Sequence, residues 1–123
     1  MKVLGVDNVL LGVPDLAHAR RFYTDLLGLK VRFEVAEAGI ILFAIGDEEP
    51  GLLVRAGDSR PPRLWLEVPD ARAAAEELQS VGLTPLAPAF EVFTGWTVEL
   101  ADPAGNVVGL TDYVKQPSRA RPH

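Results

Sequence analysis

Val13-Pro14-Asp15-Leu16, followed by an amphipathic stretch ending at Leu27-Gly28-Leu29, recurs as Val68-Pro69-Asp70-Ala71 with a second stretch ending at Val81-Gly82-Leu83. Val13 and Val68 stand 55 residues apart, and Gly28 and Gly82 stand 54 apart, so one unit repeated twice fills the 123-residue chain. Each triplet follows a short apolar run and opens a segment of helical periodicity. The repeating unit is therefore a strand, a turn, a helix and then further strands.

Each repeat carries its own start and stop chemistry. Asp15 and Asp70 suit the N-cap position, where a carboxylate accepts from the unpaired backbone N–H groups of the first turn, worth about 1 kcal/mol each. Gly28 and Gly82 suit the left-handed residue that closes a helix. Ala19, Phe22, Tyr23, Leu26 and Leu27 follow the spacing of one buried helical stripe, and Ala71, Ala74, Ala75 and Leu78 follow it with smaller side chains. The second helix is expected to lie closer to its sheet.

Asn8–Val13 and Leu64–Val68 alternate in the manner of half-buried strands, with Val9, Leu11 and Val13 on one face of the first and Leu64, Leu66 and Val68 on one face of the second. Further strands are expected at Lys30–Val35, Ile40–Ile45 and Leu52–Arg55, and in the second half at Thr84–Leu86, Gly95–Ala101 and Val107–Tyr113. Asp102-Pro103-Ala104-Gly105-Asn106 reads as a hairpin turn, with the glycine and asparagine able to take positive φ. Gly57-Asp58-Ser59-Arg60-Pro61-Pro62 is the junction between halves, stiffened by two prolines. Module one spans about residues 4–57, module two about 62–113, and 114–123 form a flexible tail.

A chain of this length buries enough surface for one ordinary core without staples. It has no cysteine, hence no disulfide, thiol nucleophile or thiolate metal ligand. No apolar run approaches the ~20 residues of a membrane helix, and Met1–Asp7 lacks a signal peptide's apolar stretch, so the expected location is the cytoplasm. The net charge of −5 argues against a nucleic-acid partner. The one basic cluster, Lys115, Arg119 and Arg121, reads as a frayed, solvated terminus.

Two βαβββ halves, the Val-Pro-Asp helix openings, Phe22-Tyr23 ahead of Leu26-Leu27-Gly28, and Asp102-Pro103-Ala104-Gly105-Asn106 near the end together resemble the vicinal oxygen chelate superfamily over about residues 4–113. That group contains glyoxalase I, extradiol dioxygenases, fosfomycin-resistance enzymes and the bleomycin-resistance proteins. The resemblance implies an α+β fold of two tandem βαβββ modules with curved mixed sheets. Each half would curl into an open cup, and two cups would form a site, often across a homodimer.

Enzymes of the group depend on a divalent metal, so the residues at the implied ligand positions matter most. The histidine or glutamine of the first strand corresponds here to Asn8, and the histidine opening the equivalent strand of the other half corresponds to Arg63. The glutamate after the Asp-Pro-x-Gly-Asn turn corresponds to Gly109, and a further ligand of some branches falls near Leu53. Asparagine is a weak neutral donor, arginine stays cationic, and glycine offers no side chain. No metal and no other cofactor are expected. His18, off the apolar stripe, and His123, the last residue, supply no replacement.

Alternation sends Asn8, Leu10 and Gly12 to the face opposite Val9, Leu11 and Val13, and Arg63, Trp65 and Glu67 to the face opposite Leu64, Leu66 and Val68. Since the helices cover the apolar faces, Trp65 is expected to face the cup as a platform for a flat ligand. The competing reading packs it at a dimer seam or under a loop. Thr97 and Glu99 join the lining if Val98 and Leu100 face the helix, which leaves Trp96 on the core side unless a bulge at Gly95 shifts the strand. Phe90 and Phe93 bracket an irregular segment that is a core plug or a lid. Glu34, Glu37 and Glu91 read as solvated, and Asp47-Glu48-Glu49-Pro50-Gly51 as an acidic turn.

These readings converge on a metal-independent, homodimeric small-molecule binding protein similar to the bleomycin-resistance branch. It would sequester an aromatic compound or antibiotic, with Trp65 stacking, Arg63 and Asn8 giving polar contacts, and Glu67, Thr97 and Glu99 completing the lining. The alternatives are an enzyme of the same superfamily (a lyase, isomerase or dioxygenase with an atypical site) or a degenerate scaffold with a plugged cup. In a metal-free enzyme, Glu67 or Glu99 would be the base and Arg63 would stabilise an enolate.

Overall fold

Apolar alternation and two capped helical segments give each half of the chain one sheet and one helix to cover it. A computed structural model describes residues 1–46 and 48–123, and of Glu48 and Glu49 the backbone alone. Of the acidic turn, Asp47 thus lies outside the described residues. The chain forms two compact units, Asn8–Arg63 and Leu64–His123, and the second also takes in Met1–Asp7.

In the first unit, β1 (Gly5–Val13) is followed by α1 (Leu16–Arg20), β2 (Lys30–Val35), β3 (Ile40–Ile45) and β4 (Glu48–Ala56). The strand order is β2-β3-β4-β1. β1 runs parallel to β4 with Asn8 opposite Gly51 and Val13 opposite Ala56, and β3 is antiparallel to both β4 and β2. Asp15 caps α1 by accepting from the His18 N–H at 3.1 Å. Ala19 packs with Ile41, Phe43, Leu52 and Val54, and Val9, Leu11 and Val13 join the same cluster, so the predicted apolar face of β1 is the helix face.

The expected stripe on the first helix fails beyond Ala19. From Arg21 to Leu26 the backbone winds as a π-helix, with the Leu27 N–H bonded to the Phe22 carbonyl at 3.1 Å. Opening the turn from i−4 to i−5 breaks the α-helical spacing on which the stripe was read. Tyr23 still reaches the core, its ring 5.2 Å from that of Phe43. Phe22, Leu26 and Leu27 instead stand 48%, 74% and 57% exposed.

In the second unit, β5 (Arg63–Glu67) leads to α2 (Ala71–Ser80), β6 (Phe90–Val92), β7 (Gly95–Ala101) and β8 (Val107–Thr111). The order β5-β8-β7-β6 repeats that of the first unit strand for strand. β7 pairs antiparallel with β6 and with β8, placing Thr97 opposite Thr111 and Glu99 opposite Gly109. Asp70 caps α2 through the Ala73 N–H at 2.9 Å. The small stripe does what it predicts: Ala71 and Ala74 are buried against Val68, Val98, Leu100 and Leu110, with Ala75 and Leu78 alongside. Trp96 belongs to this side too, with the Arg72 guanidinium 4.4 Å above its ring.

Asp112, fully buried just past β8, ties the unit together. Its Oδ2 accepts from the Ala71 N–H at 2.7 Å, at the start of α2, and its Oδ1 from the Trp96 N–H at 2.9 Å on β7. Gly95 gives it room, because a Cβ there would fall 2.0 Å from Oδ1.

Three sequence expectations change in this unit. No strand forms at Thr84–Leu86, where Pro85 and Pro88 cannot donate to a ladder; one bond from the Leu86 N–H to the Glu99 carbonyl is made instead. The missing strand is β6, drawn from the segment read as irregular. In the hairpin turn Gly105 takes φ +90°, but Asn106 keeps negative φ and bonds Asp102 through its side chain and N–H. The basic tail is not simply solvated either, since Lys115 pairs with Glu91 and Arg121 returns to the sheet to pair with Glu67.

Candidate functional site

On the sheet of the second unit, alternation sends Leu66, Val68, Val98, Leu100 and Leu110 toward α2. The opposite face carries Trp65 and Glu67 on β5, Gly109 and Thr111 on β8, and Thr97 and Glu99 on β7. Three of these form one row across the sheet. The indole of Trp65 lies over Gly109, so close that a Cβ on Gly109 would fall 2.4 Å from Cδ1 and 2.6 Å from Nε1. It reaches across β8 to Glu99, opposite Gly109 in the ladder, and Nε1 donates to Oε2 at 3.0 Å. The glycine is therefore a steric requirement: any side chain there would evict the ring. Trp65 remains half-buried, with Phe90 beside it at 6.3 Å between centroids.

The neighbouring positions are more deeply committed. Thr97 is fully buried and shares a 2.7 Å hydrogen bond with Thr111. Glu67 is 2% exposed, and both its oxygens are occupied by Arg121: Oε1 accepts from Nη1 at 2.6 Å and Oε2 from the backbone N–H at 2.9 Å. Tyr113 donates to Asp7 at 2.5 Å. Of the predicted lining in this unit, the structure brings Trp65 and Glu99 into contact, whereas Thr97 and Glu67 are already engaged with protein partners.

Asn8 and Arg63 belong to the first unit. Asn8 is half-buried opposite Gly51, where a Cβ would lie 3.0 Å from its Oδ1. Arg63 is 5% exposed and donates from Nη2 to Asp58 Oδ2 at 2.6 Å. Asp58 also accepts from the Arg60 N–H, Nε and Nη2, each at 3.0 Å. The Arg60 guanidinium above all, helped by the Arg60 N–H and by Arg63, holds the Asp58 carboxyl well below the usual carboxylate range despite its burial. Ionic locking, as much as the two prolines, fixes the junction. It passes so close to β1 that a Cβ on Gly12 would meet the Asp58 carbonyl at 1.7 Å.

The residues present do not fit the divalent metal that the superfamily resemblance implies. Arg63 is a cation already bound to a carboxylate, and Asn8 offers only a neutral amide. Leu53 has no donor atom. At position 109 the volume that a carboxylate side chain would need is filled by the Trp65 indole. Among the described residues no group of three His, Asp or Glu side chains is placed to hold an ion.

Residue reading alone missed Arg121, Asp58 and Asp112, three charged residues with partners distant along the chain or across a turn. It also took Gly109 as a lost ligand rather than as floor space for an aromatic ring. A tryptophan on one strand and a glycine on a later one of the same repeat is the signal that was there to be used.

The sequence profile of the Glyoxalase/Bleomycin resistance protein/Dioxygenase superfamily matches residues 5–110, and the chain belongs to that superfamily. Among solved structures it is similar to methylmalonyl-CoA epimerase from Mycobacterium tuberculosis, at 23% identity, over 96% of this chain and 93% of that one, with a TM-score of 0.76. A variant of Streptomyces coelicolor methylmalonyl-CoA epimerase in complex with 2-nitronate-propionyl-CoA superposes over 98% and 100% of the two chains at 17% identity and a TM-score of 0.75. A superfamily member from Vibrio splendidus 12B01 gives 12% identity over 87% and 97%, with a TM-score of 0.69. No curated protein sequence matches the chain. At these identities the likeness is one of fold.

Two consequences are measurable. Gly109→Ala is expected to displace the indole and break its bond to Glu99, shifting tryptophan emission and lowering stability by about 1–3 kcal/mol. Adding Trp65→Leu to Gly109→Ala should restore part of that loss, and a strictly additive double variant would contradict the contact. For Asp58, the folded pKa lies below the unfolded one, so its pairing stabilises fully above the unfolded value near 4 and is lost as pH falls below it. The stability difference between this protein and Asp58→Asn is expected to be flat from pH 8 to about 5 and to narrow below about pH 4, as followed by urea denaturation.

Proposed function

We propose that the chain is a binding protein for a planar small molecule, held on Trp65 without metal chemistry. The observation that carries this reading is the Trp65 indole itself. It is half-buried on the helix-free face of a rigid sheet, floored by Gly109, with its N–H already satisfied by Glu99. A ring fixed in this way offers a preordered apolar surface, which lowers the cost of stacking a second ring on it. Glu99 supplies the adjacent polar contact through Oε1, which makes no hydrogen bond among the described residues. Arg63 is paired with Asp58, and in this reading it serves the junction rather than the ligand.

A second reading, an enzyme acting on an acyl-CoA ester, is favoured by the fold likeness to methylmalonyl-CoA epimerases. In it Glu99 would move a proton at the substrate's acidic carbon. Glu99→Gln separates the two, since exchange of deuterium from solvent into an acyl-CoA ester would vanish with Glu99 while stacking on Trp65 would survive.

We further propose that two copies associate. Phe22, Leu26 and Leu27 on the π turn, with Val31, Phe33 and Val35 on the outer strand β2, are all more than a third exposed. A second copy of the chain would cover such apolar surface and the free strand edge. Sedimentation equilibrium at tens of micromolar should give twice the 13.3 kDa chain mass, and Phe33→Arg with Leu26→Arg should return it to the chain mass. A monomer at that concentration would contradict the proposal.

The binding claim rests on Trp65→Ala. It is expected to weaken a planar aromatic ligand by ~1–3 kcal/mol, the range of aromatic anchors, while costing less stability than the ~3–5 kcal/mol of a core tryptophan. Affinity from calorimetry and unfolding free energy from the same preparation decide it. A large stability loss with no change in affinity would mean that the indole is a plug.

A further inference from the structure

Three side chains meet on the helix-free face of the second unit. Phe90 stands opposite Thr97 in the β6–β7 ladder and so shares the face of that residue. Its ring lies 6.3 Å from the Trp65 indole, and the two planes are inclined at 58°. Indole and phenyl thus form the floor and the wall of a corner. Phe90 is 38% exposed and Trp65 is half-buried, so both rings keep surface open to a ligand. Glu99 is the third member, its Oε2 accepting from the indole Nε1 at 3.0 Å.

Glu99 is held in place on every side. Its backbone pairs with Gly109 of β8 on one edge, and on the other its carbonyl accepts from the Leu86 N–H at 2.9 Å. The indole then fixes the carboxylate and takes one oxygen, while Oε1 makes no hydrogen bond or ion pair among the described residues. The cations of the unit are engaged elsewhere. Arg72 and Lys115 stand 4.4 Å and 6.0 Å from the ring centroid of Trp96, on the helix side, and Arg121 pairs with Glu67. An indole whose N–H donates to a carboxylate is richer in electrons, which strengthens the pull of its face on positive charge. A half-buried carboxylate without a counter-ion adds Coulomb attraction at the same spot.

From this geometry we propose that the corner of Trp65, Phe90 and Glu99 is a cation site. The ligand class is a flat, permanently charged heteroaromatic ring such as an N-alkylpyridinium or N-alkylquinolinium. Its ring stacks on Trp65, its rim meets Phe90, and its positive nitrogen lies toward Glu99 Oε1. The proposal rests on the Trp65 platform and adds to it the charge of the ligand. A neutral ring of the same shape keeps the stacking and loses the attraction of both π faces and of the carboxylate. An anionic ring is repelled by Glu99.

N-methylquinolinium and quinoline test this, being nearly alike in shape, with quinoline uncharged in neutral buffer. The shift of the Trp65 indole N–H signal on titration gives both dissociation constants. The cation is expected to bind the unaltered protein about tenfold more tightly than quinoline, and added KCl should narrow that gap. Glu99→Gln keeps an oxygen for the indole N–H and should bring the two compounds within about twofold of each other. Phe90→Leu, which removes the second π face, should weaken the cation more than quinoline. Equal affinities in the unaltered protein, or a preference that survives both substitutions, overturn the proposal and leave the platform reading standing. If neither compound moves the Trp65 signal, both fall. Should Glu99→Gln fail to fold, the comparison of the two compounds on the unaltered protein, at low and high salt, decides alone.

Discussion

One buried carboxylate fixes the part of the molecule on which the functional reading depends. Asp112 binds the first N–H of α2 and the Trp96 N–H of β7 with its two oxygens, and it sits directly after β8. A charge in that position, with no solvent to share, makes strong bonds when satisfied and is costly when not. Helix α2 and the two inner strands β7 and β8 are thereby locked in one register. That register decides which side chains point away from the helix. With Val98, Leu100 and Leu110 held against Ala71 and Ala74, the alternate positions Thr97, Glu99 and Gly109 can only face the other way.

On that opposite face, glycine does the shaping. Gly109 clears a strand so that the Trp65 indole can cross it to Glu99, and Gly5 clears another so that the Arg121 guanidinium can lie against Glu67. Both seats hold a flat group tied to a carboxylate. They differ in ownership: the indole is fastened within the sheet, whereas the guanidinium arrives on the segment that follows β8. The face also carries acidic side chains at Glu67, paired with Arg121, and at Glu99, bonded to the Trp65 indole.

Much of this fold was legible in the sequence because its signals are local. The Val-Pro-Asp openings, the aspartate caps, the glycines at Gly28 and Gly82 with φ of +77° and +88°, and the alanine stripe of α2 all turn on residues within a few positions of each other. The duplication then supplied the two βαβββ units, and the Phe-Tyr and Asp-Pro-x-Gly-Asn segments the superfamily. The π turn was not legible, since Phe22, Leu26 and Leu27 carry a good α-helical spacing and the extra residue per turn is a backbone choice. Nor was β6, hidden beside Pro88 in a segment with two phenylalanines. In the candidate site, alternation put Trp65, Glu67, Thr97 and Glu99 on one face. It gave no hint that Glu67 and Arg63 were already paired, because their partners Arg121 and Asp58 are set by tertiary structure and by a tight turn.

The most direct measurement of the central claim uses the two tryptophans as site and control. Their indole N–H groups give separate signals in a 1H–15N spectrum, one bonded to Glu99 on the open face and the other on the helix side, beneath Arg72. Titration with planar aromatic compounds should move the Trp65 indole signal in a saturable way and leave that of Trp96 in place. A titration in which Trp96 responds while Trp65 does not, or in which neither moves with any such compound, would contradict the account.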